Sequence, residues 1–246
     1  MISIVIPTLQ KRVDILKNLI ESLNCDSSVG EIIVINNAIK PLEFEYEKLR
    51  VITPDENMYV NPAWNKGIEE ARYETVGLLN DDIVLCDNFC SSLIKALPDN
   101  YGVVGYCKEN IEPIEDNFKK PDKGDIKLQE VNFIDFGFGI AMFFDKTNYS
   151  KIPDNLKIMY GDCYIFEEYK KRKFKNYKIT GQKIIHIGSL TTSNKIFNPV
   201  INEDKKIYKK ITIPWYKYFF SIQEYADCKK MRLLGFNIRL FSKKGK

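Results

Sequence analysis

Apolar positions along the chain fall into short blocks with two alternating periods. Ile2-Ser3-Ile4-Val5-Ile6 is a β-branched run stopped by Pro7, the form of a strand buried in a parallel sheet. Over residues 12 to 23, Val13, Leu16, Leu19, Ile20 and Leu23 recur at three- and four-residue spacings, which predicts a helix with one apolar face. Ile32 to Ile35 predicts a second strand closed by Asn36 and Asn37, and Val51-Ile52 a short third. Residues 61 to 72 read as a helix with Asn61 as its cap and Pro62 in its first turn. Thr75 to Leu79 predicts a fourth strand that ends at Asn80-Asp81-Asp82, and residues 88 to 97 a further amphipathic helix.

Strand and helix alternating through short connections imply an open, mostly parallel α/β sheet covered on both faces. Ligands of such sheets bind beyond the carboxyl ends of the strands, where this chain places Thr8, Asn36, Asn37 and Asn80 to Asp82. After residue 100 the rhythm weakens. Residues 108 to 130 are charged and contain Pro113, Pro121 and Gly124, so an irregular or mobile loop is expected. Phe133 to Phe144 is aromatic and punctuated by Gly137 and Gly139, which suits strands close to a ligand. Residues 160 to 174 predict a helix, and Lys183 to Ile187 a last strand carrying His186, the single histidine. A domain of residues 1–196 and an extension of residues 197–246 follow from this pattern.

Composition narrows the class without naming it. A length of 246 residues suits one α/β domain, and 44% hydrophobic with 28% charged residues excludes a disordered chain. The net charge of +4 is too mild to argue for nucleic acid. No apolar run reaches the ~20 residues of a membrane-spanning helix, and the N-terminus lacks the features of an export signal. The six cysteines contain no CxxC pair, so reduced thiols and a cytoplasmic protein are expected, at most peripheral to a membrane.

Four segments carry candidate chemistry. Adjacent Asp81 and Asp82 at the end of an apolar strand oppose each other's ionisation, a conflict that a magnesium or manganese ion would resolve. They could equally form a turn that caps the next helix. His186, before the polar stretch Gly188-Ser189-Leu190-Thr191-Thr192, is either a structural histidine or a ligand in the same crevice. Asp162, in Tyr160-Gly161-Asp162-Cys163, is either a helix cap or a carboxylate placed to take a proton from a hydroxyl. Asn57 through Gly67 is a loop entering a helix, whose amide end could meet an anion.

Taken in order, Ser3-Ile4-Val5-Ile6-Pro7-Thr8, Ile33-Val34-Ile35-Asn36-Asn37, Asn57 with Asn65-Lys66-Gly67-Ile68, and Leu79-Asn80-Asp81-Asp82 resemble the inverting family 2 glycosyltransferases. The likeness is close over residues 1 to 100. It continues more loosely through Phe138-Gly139, Met142 to Phe144, Gly161-Asp162 and His186. It implies a GT-A fold, a Rossmann-like and mostly parallel central sheet flanked by helices, with the nucleotide-sugar half at about 1–100 and the acceptor half at about 101–196. It implies a base pocket at Pro7, Thr8 and Asn36, base or ribose contacts at Asn57 and Asn65, and ribose or sugar contacts at Asn80 and Asp81. Asp82 would hold a Mn2+ or Mg2+ ion bridging the diphosphate, with His186 completing its coordination, and Asp162 matches the family's catalytic base. The donor implied is a nucleoside-diphosphate sugar, UDP- or dTDP-linked in the usual family case, and the acceptor a glycan or lipid-linked saccharide. The chain departs from the family pattern at Asn36-Asn37, at Trp64, at Asn80 in place of a first acid, and at Gly161 before Asp162.

Two rival classes remain. A sugar nucleotidyltransferase shares a related sheet, but Pro7 to Arg12 contains no glycine for its phosphate loop. A catalytically inert binding module would have no need to keep Asp82, Asp162 and His186 together. Residues 213 to 241 combine Trp215, Tyr216, Tyr218, Phe219 and Phe220 with Lys229, Lys230, Arg232 and Arg239. That segment reads as a helix packing its aromatics on the domain before a solvated tail, or as a peripheral contact with an anionic membrane.

Overall fold

The computed structural model describes residues 1–38, 40–113, 119–134, 137–188 and 195–212, together with the backbone of three strands between 220 and 242. Strands β1 (Ile2–Thr8), β2 (Val29–Asn36) and β3 (Leu49–Ile52) alternate with helices α1 (Val13–Cys25) and α2 (Val60–Glu70). They are followed by β4 (Thr75–Leu79), the short β5 (Ile83–Val84), α3 (Phe89–Ala96) and β6 (Tyr101–Gly105). The second half holds β7 (Ile111–Pro113), β8 (Lys127–Val131), β9 (Ala141–Asp145), α4 (Gly161–Lys171), β10 (Lys175–Thr180), β11 (Ile184–His186) and α5 (Asn198–Thr212).

An eight-stranded sheet runs in the order β3-β2-β1-β4-β9-β6-β10-β8. The first four strands are parallel, and β9 enters antiparallel between β4 and β6. Alternation within β1 divides the core into two layers. Ile2, Ile4 and Ile6 pack with Leu16, Leu19, Phe89 and Leu93 of α1 and α3 on one face. Val5 packs with Ile33 of β2, with Trp64 and Ile68 of α2, and with Ile165 and Phe166 of α4, on the other. Strands β1, β2 and β4 are therefore buried on both sides, whereas β3, at the sheet's edge, is only partly buried.

Helix α2 lies close to the sheet because it carries a glycine at the point of contact. A Cβ built on Gly67 would fall 2.1 Å from Cγ1 of Val5. Gly67→Ala is expected to lower stability by about 1–3 kcal/mol, the usual cost of overpacking. The check is the denaturant midpoint at an unchanged m-value; an unshifted midpoint would show that α2 has room to lift away.

The structure corrects several expectations. Tyr59, not Asn61, precedes α2, and the Asn61 side chain donates instead to the Met159 carbonyl at 3.0 Å. The span 108–130 is not wholly irregular: β7 joins β11 and β8 pairs antiparallel with β10. Strand β8 is half exposed at the sheet edge, so its polar residues gave no buried run to read. Helix α4 stops at Lys171, and the chain enters β10, an element the sequence did not announce. Within Phe133 to Phe144 only Ala141 onward is strand; Phe138–Ile140 is a 3-10 turn, and Phe136 lies outside the described residues.

The C-terminal helix comes earlier than expected. It spans Asn198–Thr212, and beyond it β12 (Phe220–Glu224), β13 (Cys228–Leu233) and β14 (Phe236–Ser242) form an antiparallel sheet rather than a helix. Trp215, Tyr216, Tyr218 and Phe219 lie outside the described residues. Among the described residues no helix is long and apolar enough to cross a membrane.

Candidate functional site

Parallel pairing brings the carboxyl ends of β1, β2 and β4 to one edge, with Thr8 beside Asn36 in register. A cavity of about 640 Å3 opens there, lined by Pro7, Thr8, Asn57, Asn80, Asp81, Asp82, Asp162 and His186 among others. These residues, all singled out in the sequence, thus share one wall system, although they come from β1, α4, β11 and the loops after β3 and β4.

Each acid at the end of β4 has its own partner. Asp81 Oδ2 accepts from the Thr8 hydroxyl at 2.5 Å. Burial, opposed by that hydrogen bond and reinforced by neighbouring Asp82, pushes the Asp81 carboxyl up to about 6. Asp82 is buried and its Oδ1 lies 3.1 Å from His186 Nε2. The small sheet of β5, β11 and β7 makes this contact possible: His186 pairs with Ile83, and the Ile187 amide donates to the Asp82 carbonyl. Asn80 Nδ2 stands 3.4 Å from the same imidazole nitrogen. The helix that follows starts only at Phe89, so Asp81 and Asp82 do not cap it.

Asp162 reaches the cavity from the first turn of α4. It is not that helix's cap, a position held by Tyr160; its Oδ1 accepts from the Cys163 amide at 2.8 Å. Burial, opposed by the Cys163 hydrogen bond, raises its carboxyl from its ordinary value, which makes it a better proton acceptor. The glycine before it has a steric reason. A Cβ on Gly161 would lie 2.1 Å from Asn61 Oδ1 and 3.0 Å from the Trp64 ring, so a side chain there would have to displace the Asn61 side chain that holds the Met159 carbonyl.

Two predicted contacts fall elsewhere. Asn36 is fully buried beneath the loop after β2, accepting from Gln10 Nε2 and donating to the Lys40 carbonyl. Asn65 accepts from Tyr149 Oη and the Ile152 amide and donates to the Ile152 carbonyl, which fixes the 149–152 segment to α2. Neither side chain lines the cavity. The stretch after Gly188, from Ser189 to Asn194, lies outside the described residues.

Asn37, which the sequence places at the carboxyl edge, lines the cavity and also holds its rim, accepting from the Met58 amide and donating to the Tyr59 carbonyl. Sequence reasoning missed a group of aromatic lining residues. Tyr59 and Tyr160 line the cavity with left-handed backbones, φ 66° and 65°, which no local sequence signal announces. Phe197, preceding α5, completes the wall beside Tyr59, with Lys11 Nζ 5.7 Å from its ring centroid. The placement of Lys11 just after the first strand was the available clue.

A divalent cation can be tested against these groups. Among the described residues, no three of His, Cys, Asp and Glu are grouped closely enough to hold a metal by themselves. Asp82 and His186 offer one oxygen and one nitrogen donor side by side. That set fits an ion that takes its remaining ligands from phosphate oxygens and water, as magnesium and manganese do.

Comparison with known proteins bears on the family and the fold. Residues 3–171 match the model of glycosyl transferase family 2. The fold resembles a crystal structure of GalNAc-T7 with UDP, GalNAc and Mn2+, at TM-score 0.65 and 12% identity, over 88% of this chain and 49% of that one. It also resembles S. aureus TarS at TM-score 0.56 and 12% identity, over 82% of this chain and 39% of that one. The chain therefore spans about half the length of the first and two fifths of the second. No curated protein sequence matches it.

Proposed function

Because the chain belongs to glycosyl transferase family 2, we propose that it moves a sugar from a nucleoside-diphosphate donor to an acceptor hydroxyl with inversion at the anomeric carbon. The observation that carries this reading is the meeting of Asp81, Asp82, His186 and Asp162 around one cavity at the carboxyl edge of the sheet. Pro7, Thr8 and Asn57 line the part of that cavity next to β1 and β2, and are assigned to the nucleoside. Asp82 and His186 would hold Mn2+ or Mg2+, which when bound supplies neutralisation of the charge on the departing diphosphate.

Asp162 performs the proton step. Its carboxylate takes the proton from the acceptor hydroxyl as that oxygen bonds to the anomeric carbon, while the bond to the diphosphate oxygen breaks and the diphosphate leaves with the electron pair. Burial strengthens the base, because a carboxylate removed from water gains more by accepting a proton. A glycan or lipid-linked saccharide is the acceptor class. UDP and Mn2+, the ligands named for the GalNAc-T7 structure, support uridine nucleotides as the first donors to test.

Calorimetry with Mn2+, UDP, dTDP and GDP, singly and in pairs, tests the reading. Binding of Mn2+ alone is expected to be weak, because the protein offers it too few donors. One nucleoside diphosphate should bind much more tightly when the metal is present. Equal metal affinity with and without nucleotide would point to a self-contained metal site and against this assignment. Turnover should release the nucleoside diphosphate; pyrophosphate instead would indicate a nucleotidyltransferase.

A further inference from the structure

Helix α5 lies beyond residue 171, where the family match ends, yet it grips the loop that delivers Asp162. Asp204 is 1% exposed, and its carboxylate accepts from three successive main-chain amides. Oδ1 takes the Lys157 amide at 2.8 Å; Oδ2 takes those of Ile158 at 2.7 Å and Met159 at 2.9 Å. A buried carboxylate is costly unless it is so satisfied, and converging amides of this kind form an anion nest. The carbonyl side of the same loop is held from α2. The Asn61 amide donates to the Lys157 carbonyl at 2.9 Å, and Asn61 Nδ2 to the Met159 carbonyl.

One helical turn after Asp204, Tyr208 stacks on Tyr160 with ring centroids 4.6 Å apart and planes 7° from parallel. Tyr160 is the left-handed residue two positions before Asp162. The loop is thus clamped on its amides, its carbonyls and its last ring immediately before the carboxylate enters the cavity.

We propose that Asp204 and Tyr208 are positioning residues for Asp162, so that α5 forms part of the catalytic apparatus. The inference rests on Asp162 being the base. In Asp204→Asn the shape is kept, but the amide group turns a donor toward an N–H, and at least one of the three amides loses its acceptor. Small misplacement of a reacting group costs up to about 100-fold in rate, and a loss of that order in kcat is expected. Affinity for UDP with Mn2+ should stay unchanged, because Thr8, Asp82 and His186 sit on β1, β11 and the end of β4.

The assay is release of nucleoside diphosphate from whichever UDP- or dTDP-sugar the wild type consumes, with water as acceptor where none is added. Tyr208→Ala should lower kcat in the same way, and Tyr208→Phe, which keeps the stacked ring, should restore it. If Asp204→Asn does not fold, the two Tyr208 variants decide the matter alone. Wild-type turnover in the folded variants would overturn the proposal; so would loss of nucleotide affinity in step with kcat, since that marks a general structural role. Asp162→Asn, assayed in parallel, separates the two claims: if it retains turnover the base assignment itself fails, whatever Asp204 does.

Discussion

Asp162→Asn is expected to lower turnover by about a thousandfold, within the range that general-base catalysis contributes, and to leave nucleotide affinity as it was. The substitution preserves volume and keeps an oxygen that can accept from the Cys163 amide, the contact seen at 2.8 Å. What it removes is the capacity to take a proton. Nucleotide binding should survive, because the groups assigned to it stand on β1, β11 and the loops after β3 and β4, whereas Asp162 stands on α4. Calorimetry of the variant with UDP and Mn2+, beside a product-release assay, separates the two effects. Turnover within a few fold of wild type would remove Asp162 from the mechanism and leave the cavity with no base of matching position.

The first hundred residues were legible because strands β1, β2 and β4 are buried on both faces. Such strands must be continuously apolar, so Ile2 to Ile6, Ile32 to Ile35 and Thr75 to Leu79 stood out, and the polar residues that ended them marked the cavity. Of the later strands, β8 and β10 were harder to read because they lie at the sheet's edge and next to it. In β10, Lys175-Asn176-Tyr177-Lys178-Ile179-Thr180 buries only Asn176 and Ile179. Asn176 is a packing residue of the edge rather than an apolar one, accepting from the Val103 amide and donating to the Phe166 carbonyl. A pattern search for hydrophobic runs passes over such a strand.

Side-chain role was less legible than position. Asn36 and Asn65 occur where family resemblance puts ligand contacts, yet both spend their hydrogen bonds inside the protein. An asparagine offers the same donor and acceptor to a nucleoside as to a neighbouring backbone, and spacing does not distinguish them. Asp204 is the converse case. In the sequence it is one acid in the charged run Asn202-Glu203-Asp204-Lys205-Lys206, and only its contacts with residues 157–159 separate it from a solvated face. The C-terminal strands show a third limit: Phe236, Ile238 and Leu240 alternate with Asn237 and Arg239, a period of two that the dense aromatics upstream concealed.

Asp82→Ala should abolish the dependence of nucleotide affinity on Mn2+. Asp82 supplies the carboxylate of the two-donor set, and Asp81 is a poor replacement, since its Oδ2 is engaged with the Thr8 hydroxyl. Loss of even an outer-shell partner costs 10- to 100-fold in metal affinity, so a direct ligand should cost at least about 100-fold. UDP would then bind the variant equally with and without the metal. His186→Ala should do less, roughly tenfold, because the carboxylate stays to bind the cation. The double variant is the sharper test. Asp82 and His186 are 3.1 Å apart and would serve one ion, so their effects should fall well short of additive. Full additivity would mean that the two side chains act independently, and an undiminished response to Mn2+ in Asp82→Ala would place the cation elsewhere.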